Sequence, residues 1–131
     1  ASLLKIDEEG EEMAKKILLV DDEPDILQVM DFQLSKAGYT VVCAPNGEDA
    51  LGLMDQEQPD MVLLDVMMPG IDGFEVCRQI KENKPSRKVI IYTAKVDGVN
   101  AARAKESGAD DFTVKTADLK YILEAISRLI G

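Results

Sequence analysis

Five short apolar or β-branched runs occur along the chain, and polar side chains follow four of them. The runs cover residues 17–20, 40–43, 61–64, 89–92 and 111–114. Asp21 and Asp22 follow the first run, Asp65 the third, Thr93 the fourth and Lys115 the fifth. Singly, each has an ordinary explanation: Asp22 could cap a helix, Thr93 suits a strand, and Lys115 suits a surface. Their repeated position at the end of a run indicates instead that they act together.

Three carboxylates held close together repel one another by about 1 kcal/mol per pair in water, and by more at lower effective dielectric. A divalent cation beside Asp21, Asp22 and Asp65, with Lys115 as a further positive charge, would remove this repulsion. Mg²⁺ suits that position because it prefers oxygen ligands. A carboxylate can accept a phosphoryl group as an acyl phosphate once the charge is neutralised. The residue types therefore predict Asp65 as the nucleophile, with Thr93 and Lys115 contacting phosphoryl oxygens.

Helical patterns separate the five runs and predict the scaffold. The last pattern is the strongest, with apolar residues at Leu119, Ile122, Leu123, Ile126 and Leu129. Asp72 followed by Glu75 predicts a capping box at the start of the third helix. The first four runs have the composition of strands covered on both faces, and the mixed fifth run that of an edge strand. Strand–helix alternation repeated five times predicts an α/β fold, a single doubly wound parallel sheet with helices on both faces. Ligands bind such sheets beyond the carboxyl ends of the strands.

Length, charge and composition exclude several classes of protein. The chain has 131 residues, the length of a single domain. Its formal net charge of −10 argues against direct binding to nucleic acids or anionic membranes. The sequence contains no histidine, which excludes Ser-His hydrolases, His-ligated zinc enzymes and phosphohistidine donors. Cys43 and Cys77 lack a CxxC spacing and are expected to be reduced, largely buried thiols.

Residues 1–15 differ from the rest of the chain in their density of acidic side chains. They are expected to form an acidic leader or linker, either solvated or helical, ahead of a domain that spans residues 16–131. The apolar stretches fall far short of the roughly 20 residues of a membrane span, and no secretory signal is visible. A cytoplasmic location is therefore expected.

Four segments of the sequence resemble the response-regulator receiver domains of two-component signal transduction. They are residues 20–24 (VDDEP), 63–73 (LLDVMMPGIDG), 92–94 (YTA) and 108–115 (GADDFTVK). Their order and spacing match the family over residues 16–129. The resemblance implies a five-stranded, flavodoxin-like sheet in the order 2-1-3-4-5. It also implies that Asp65 is phosphorylated and that Mg²⁺ is bound by Asp21, Asp22, Asp65 and the backbone carbonyl of Met67.

The remaining roles follow from the same resemblance. Thr93 and Lys115 would contact the phosphoryl group, and Phe112 would be the aromatic residue that turns inward when Thr93 moves toward that group. Thr116 departs from the family pattern, in which a proline follows the lysine after a cis peptide. A cis bond before a residue other than proline costs about 3 kcal/mol. Either a trans bond with a shifted loop or a strained cis bond is therefore expected between Lys115 and Thr116.

The resemblance also implies the partners. A sensor histidine kinase or a histidine phosphotransfer protein would donate the phosphoryl group, and a downstream effector or an attached output domain would respond to it. The domain would catalyse only its own phosphorylation and dephosphorylation, and would shift between two conformations. Homodimerisation would involve the fourth helix, the fifth strand and the fifth helix.

Two other functions are compatible with parts of the pattern. A haloacid-dehalogenase-like phosphatase also uses an aspartyl nucleophile, but it needs a second acidic residue at the position of Met67 and a cap over its substrate. A receiver fold used only for docking would need no phosphorylation. The full set of acidic, hydroxyl and ammonium groups argues against that second function.

Overall fold

The computed structural model describes residues 14–94, 96–115 and 119–131, in which five strands alternate with five helices. The strands are β1 (Lys16–Val20), β2 (Thr40–Ala44), β3 (Met61–Asp65), β4 (Lys88–Thr93) and β5 (Asp111–Val114). The helices are α1 (Pro24–Lys36), α2 (Gly47–Glu57), α3 (Gly73–Asn83), α4 (Gly98–Glu106) and α5 (Leu119–Ile130). The predicted acidic leader falls largely on residues 1–13, which lie outside the described residues.

The strands form one parallel sheet in the order β2-β1-β3-β4-β5, which confirms the predicted α/β architecture. β5 lies at an edge, as its mixed composition predicted, and β1, β3 and β4 are interior strands. β3 and β4 are longer than the apolar runs indicated, so that Asp65 and Thr93 are the last residues of their strands. In the register between these two strands, Asp65 lies opposite Tyr92.

Alternating side chains of the strands build a core on each face of the sheet. Leu18 and Val20 of β1 belong to a first core with residues of α2, α3 and α4. Ile17 and Leu19 belong to a second core with residues of α1 and α5. This arrangement is the doubly wound one, because helices cover both faces of the sheet. Since all the strands are parallel, their carboxyl ends lie at one edge of the sheet.

Short polar side chains begin three of the helices. Asn46, Asp72 and Asp97 each accept a hydrogen bond from a backbone N–H in the first turn of α2, α3 and α4. The predicted capping box at Asp72 does not form, because Asp72 accepts from the N–H of Phe74 rather than that of Glu75, and the carboxylate of Glu75 pairs with Arg78. Asp22 does not cap α1, since Glu23 holds the N-cap position and makes no side-chain cap.

The expectation of two largely buried thiols is correct for Cys77 and wrong for Cys43. Cys77 is buried in the first core, with its Sγ 3.6 Å from the carbonyl oxygen of Ser107. Cys43 is exposed on β2, which is an edge strand, whereas the composition of that run had indicated an interior, covered strand. Both cysteines are free.

Among the described residues, no helix has both the length and the apolar character required to cross a lipid bilayer.

Candidate functional site

Three carboxylates meet at the carboxyl edge of the sheet, where β1 and β3 end. Asp21, Asp22 and Asp65 each place a carboxylate oxygen within 4.8 Å of the others. Asp21 and Asp65 have 0% of their surface exposed, whereas Asp22 is exposed. Buried acids in such a cluster require compensation by cations or hydrogen bonds, because both desolvation and mutual repulsion oppose their ionised forms.

Backbone N–H groups fix one oxygen of each buried acid. Met67 N donates a hydrogen bond of 2.9 Å to Asp65 Oδ1. In the same way, Glu23 N donates a hydrogen bond of 2.9 Å to Asp21 Oδ1. Both donors lie two residues beyond the acid, so that each loop folds back over the carboxylate at the carboxyl end of its strand. The loops thereby orient the two side chains without using a side-chain donor.

Lys115, immediately after β5, supplies the positive charge. Its Nζ lies 2.9 Å from Asp65 Oδ2, 3.0 Å from Asp21 Oδ2 and 2.8 Å from Glu23 Oε1. Burial disfavours the charged ammonium, but the contacts with the carboxylates of Glu23, Asp65 and Asp21 outweigh that effect and raise the pKa of Lys115. Lys115 is therefore a permanent cation that joins β5 to the ends of β1 and β3.

Two buried oxygens at this edge have no hydrogen-bond partner among the described residues. They are Asp65 Oδ2, whose contact with Lys115 is an ion pair without hydrogen-bond geometry, and Thr93 Oγ1. Leaving such groups unsatisfied costs about 1–3 kcal/mol each. One is a carboxylate oxygen available to an electrophile or a cation, and the other is a hydroxyl able to donate to an oxyanion. This pair of groups fits a site that binds an anionic group beside a divalent cation.

The charge of Asp65 is unfavourable in the folded protein. Burial raises the pKa of Asp65 above its ordinary value of 3.8, and Asp21 adds to this effect, while the Met67 N–H and Lys115 oppose it. The folded state therefore binds a proton on Asp65 more tightly than the unfolded chain does. Protonation of Asp65 therefore stabilises the folded protein at pH values below the pKa of Asp65 in the unfolded chain. This stabilisation is lost as the pH rises through the higher pKa of Asp65 in the folded protein.

Asp65→Asn should consequently stabilise the protein at pH 7 in EDTA. The expected gain in the free energy of unfolding is on the order of 1 kcal/mol, because the variant lacks a buried charge that faces Asp21. The gain should shrink as the pH falls toward the raised pKa, where Asp65 becomes neutral. Urea denaturation over a pH series measures this difference. Asp25→Asn, an exposed acid on α1, should change stability by less than about 0.5 kcal/mol. A less stable Asp65→Asn protein at pH 7 would contradict the argument.

Two contacts of this site were not predicted from the sequence. Tyr92 is 2% exposed, and its hydroxyl donates a hydrogen bond of 2.7 Å to Asp21 Oδ2. Burial and the charge of Asp21 raise the pKa of Tyr92, so that the hydroxyl keeps its proton. Glu23 is the second, through its contact with Lys115. A tyrosine near the end of an otherwise aliphatic buried strand was the available signal, because a buried hydroxyl usually requires a partner.

The remaining predicted site residues occupy different surroundings. Phe112 is partly buried and packs against the first core. Met67 is 57% exposed, and its backbone N–H is the donor to Asp65. The peptide bond predicted to be either trans or strained cis joins Lys115 to Thr116, which lies outside the described residues. Asp21, Asp22, Asp65 and Lys115 thus come together directly, while Thr93 contributes an unpaired hydroxyl at the end of the adjacent strand.

Comparisons with known proteins agree with this geometry. The family model described as "Response regulator receiver domain" matches residues 17–127. A receiver domain protein (CheY-like) from Methanospirillum hungatei has 27% sequence identity and a TM-score of 0.86, with 90% of this chain and 94% of that chain covered. Response regulator TrrA from Thermotoga maritima, solved in complex with Mg²⁺–BeF, has 36% identity and a TM-score of 0.81, with 88% and 98% covered.

A third structure is the BeF3-activated N-terminal receiver domain of RstA from Klebsiella pneumoniae. It shares 30% identity with this chain at a TM-score of 0.84, and the alignment covers 88% of this chain and 98% of that chain. The family match, the sheet order and these structures all indicate the same class of protein. The chain therefore belongs to the response regulator receiver domain family, the phosphoacceptor signalling domains of two-component systems.

Proposed function

We propose that Asp65 is the residue of this chain that accepts the phosphoryl group. The observation that carries the proposal is the state of its Oδ2 atom, which is buried, lacks a hydrogen bond among the described residues, and faces the ammonium of Lys115. A carboxylate oxygen in that state is available as a nucleophile. Thr93 Oγ1, likewise buried and unpaired, supports the proposal because it can donate to a phosphoryl oxygen.

Asp21, Asp22 and Asp65 would hold a Mg²⁺ ion, together with the backbone carbonyl of Met67. Three carboxylate oxygens within 4.8 Å of one another form a donor set of the kind that Mg²⁺ prefers, and Asp22 is open to solvent. When bound, the ion would neutralise the cluster and polarise the phosphoryl group. The Mg²⁺–BeF complex of the Thermotoga maritima regulator supports this assignment by analogy, since beryllofluoride is a tetrahedral stand-in for a phosphoryl group.

The residues of this chain act on the phosphoryl group in distinct ways. Asp65 Oδ2 forms the new oxygen–phosphorus bond while the nitrogen–phosphorus bond of a phosphohistidine breaks and leaves a free histidine on the donor. Lys115 lies against the attacking oxygen and offsets negative charge on the phosphoryl oxygens. Thr93 donates its hydroxyl hydrogen to one of those oxygens, and Phe112 turns inward as Thr93 moves. The last two steps are the conformational response.

Receiver domains are signalling domains that work with histidine kinases and output domains. For this chain, the donor would be a sensor histidine kinase or a histidine phosphotransfer protein in the cytoplasm. The domain would catalyse its own phosphorylation and dephosphorylation and no other reaction. A downstream effector or attached output domain would bind the altered surface formed by α4, β5 and α5, which is also where a homodimer would form. Direct binding to nucleic acid is not expected, because the net charge is −10.

Intact-mass analysis after incubation with acetyl phosphate and Mg²⁺ tests the proposal. The wild-type chain should gain one phosphoryl group, and the gain should fall to background in EDTA and in Asp65→Asn. Asp55→Asn, which removes an exposed acid on α2, should retain the gain. Uptake by Asp65→Asn at the wild-type level would refute the assignment of Asp65. A wild-type chain that takes up no phosphoryl group from this donor or from a phosphohistidine protein would favour the docking-only alternative.

A further inference from the structure

Tyr92 introduces a hydroxyl into the second core at the point where that core meets the acidic cluster. The residue is 2% exposed and precedes Thr93 at the end of β4. Its hydroxyl lies 2.7 Å from Asp21 Oδ2 and 3.4 Å from the carbonyl oxygen of Val20. A hydroxyl has one proton to donate, and the shorter contact, to a charged acceptor, is the one that receives it.

This hydrogen bond completes the restraint of Asp21. Oδ1 accepts from Glu23 N at 2.9 Å, and Oδ2 accepts from Tyr92 and contacts Lys115 at 3.0 Å. The ammonium of Lys115 is shared with Asp65 and Glu23, so it is not a partner of Asp21 alone. Among the described contacts of Asp21, the hydroxyl of Tyr92 is therefore the only side-chain donor that is not shared with another carboxylate. With both oxygens held, the carboxylate has a single orientation.

We propose that Tyr92 is a positioning residue for the divalent cation, holding Asp21 in the orientation in which the acidic cluster binds Mg²⁺. The inference rests on the proposed function of that cluster. A donor that fixes a cation-binding carboxylate contributes to affinity without touching the ion, and its removal typically weakens metal binding by about 10- to 100-fold. Asp22 and Asp65 repel the Asp21 carboxylate when no ion is bound, so the Tyr92 hydrogen bond helps to hold that carboxylate in the cluster before the ion arrives.

Tyr92→Phe separates this role from packing, because phenylalanine keeps the ring in the second core and removes only the hydroxyl. Tyr121→Phe is the matched control. Its hydroxyl also lies near an aspartate, 3.4 Å from Asp111 Oδ2, but Tyr121 is 46% exposed on α5, and Asp111 belongs to β5 rather than to the acidic cluster. Tyr92→Leu, which also lacks the hydroxyl, provides a second test if the phenylalanine variant does not fold.

The experiment is calorimetric titration of the full chain with Mg²⁺ alone. Tyr92→Phe should bind Mg²⁺ about 10-fold or more weakly than wild type, and Tyr121→Phe should match wild type within about twofold. Phosphoryl uptake by Tyr92→Phe should return toward the wild-type level at saturating Mg²⁺. Unchanged Mg²⁺ affinity in a folded Tyr92 variant would overturn the inference, even if that variant is less stable to urea, since it would leave the hydroxyl with a packing role only.

Asp22→Asn distinguishes the failure of this inference from the failure of the proposed function. If Asp22→Asn weakens Mg²⁺ binding and both Tyr92 variants do not, the cluster binds the ion and only the role of Tyr92 is wrong. If the wild-type chain binds no Mg²⁺, the proposed cation site and the role of Tyr92 are both wrong.

Discussion

Lys115→Met is expected to lower the free energy of unfolding by about 3 kcal/mol in EDTA, because breaking a buried charge network leaves its acids uncompensated. The substitution keeps an unbranched side chain but removes the ammonium that contacts Asp21, Glu23 and Asp65. Two of those acids are fully buried. Mg²⁺ should then stabilise the variant more than it stabilises wild type, since the ion supplies the missing charge. Urea denaturation with and without Mg²⁺ measures both effects.

Lys81→Met is the matched control for this prediction. Lys81 makes a partly buried ion pair of 3.0 Å with Asp110 and donates to the Arg87 carbonyl oxygen, so its loss should also reduce stability. Mg²⁺ should stabilise that variant no more than wild type, because Asp110 is not one of the clustered acids. Equal Mg²⁺ effects in the two lysine variants would show that Lys115 does not compensate the cluster.

Gly73→Ala is expected to destabilise the protein by about 2 kcal/mol, within the range for overpacking, although alanine normally favours a helix over glycine. A Cβ at Gly73 would lie 2.5 Å from the Cα of Val66, which is backbone and cannot move without the loop. Val66 directly follows Asp65, so the displaced loop would also carry away the Met67 N–H that holds Asp65 Oδ1. Phosphoryl uptake should therefore fall together with stability.

Gly52→Ala is expected to stabilise the protein, in contrast to Gly73→Ala. Gly52 lies in α2, and a Cβ there would meet nothing within 4 Å. The change should stabilise the protein by about 0.5–1 kcal/mol and leave phosphoryl uptake unchanged. Thermal and urea denaturation of the two variants, alongside uptake from acetyl phosphate, test the pair. A stabilised Gly73→Ala protein would mean that α3 does not pack tightly against the end of β3.

The fold was largely predictable from local patterns. Apolar runs followed by helical periodicity gave the strands and helices, and the carboxyl ends of parallel strands necessarily meet at one edge. That rule is why Asp21, Asp65 and Lys115 could be grouped although they lie far apart in the chain. The exposure of Cys43 was not predictable from composition, because the edge position of β2 follows only from the strand order, which the family resemblance implied and the apolar run did not.

The sequence predicted which residues form the site better than it predicted the contacts between them. The bond from Tyr92 to Asp21 joins residues 71 positions apart, and that from Lys115 to Glu23 joins residues 92 positions apart. Such pairings depend on register and side-chain rotamers, which leave no periodic signal in the sequence. Tyr92 looked like an ordinary strand residue for this reason.

Because β5 lies at the edge of the sheet, some residues of the site are held by two neighbouring strands and others by one. Asp21 follows β1 and Asp65 ends β3, and both of these interior strands are hydrogen-bonded to a neighbouring strand on each side. Phe112 lies in β5 and Lys115 follows it, and β5 is hydrogen-bonded to β4 alone. Displacing β5 would disturb one ladder, while displacing β3 would disturb two. Local opening free energies are lowest where fewest interactions must break. The carboxylate proposed to accept the phosphoryl group thus lies on an interior strand, whereas Phe112, one of the two residues proposed to respond to it, lies on an edge strand that fewer interactions hold in place.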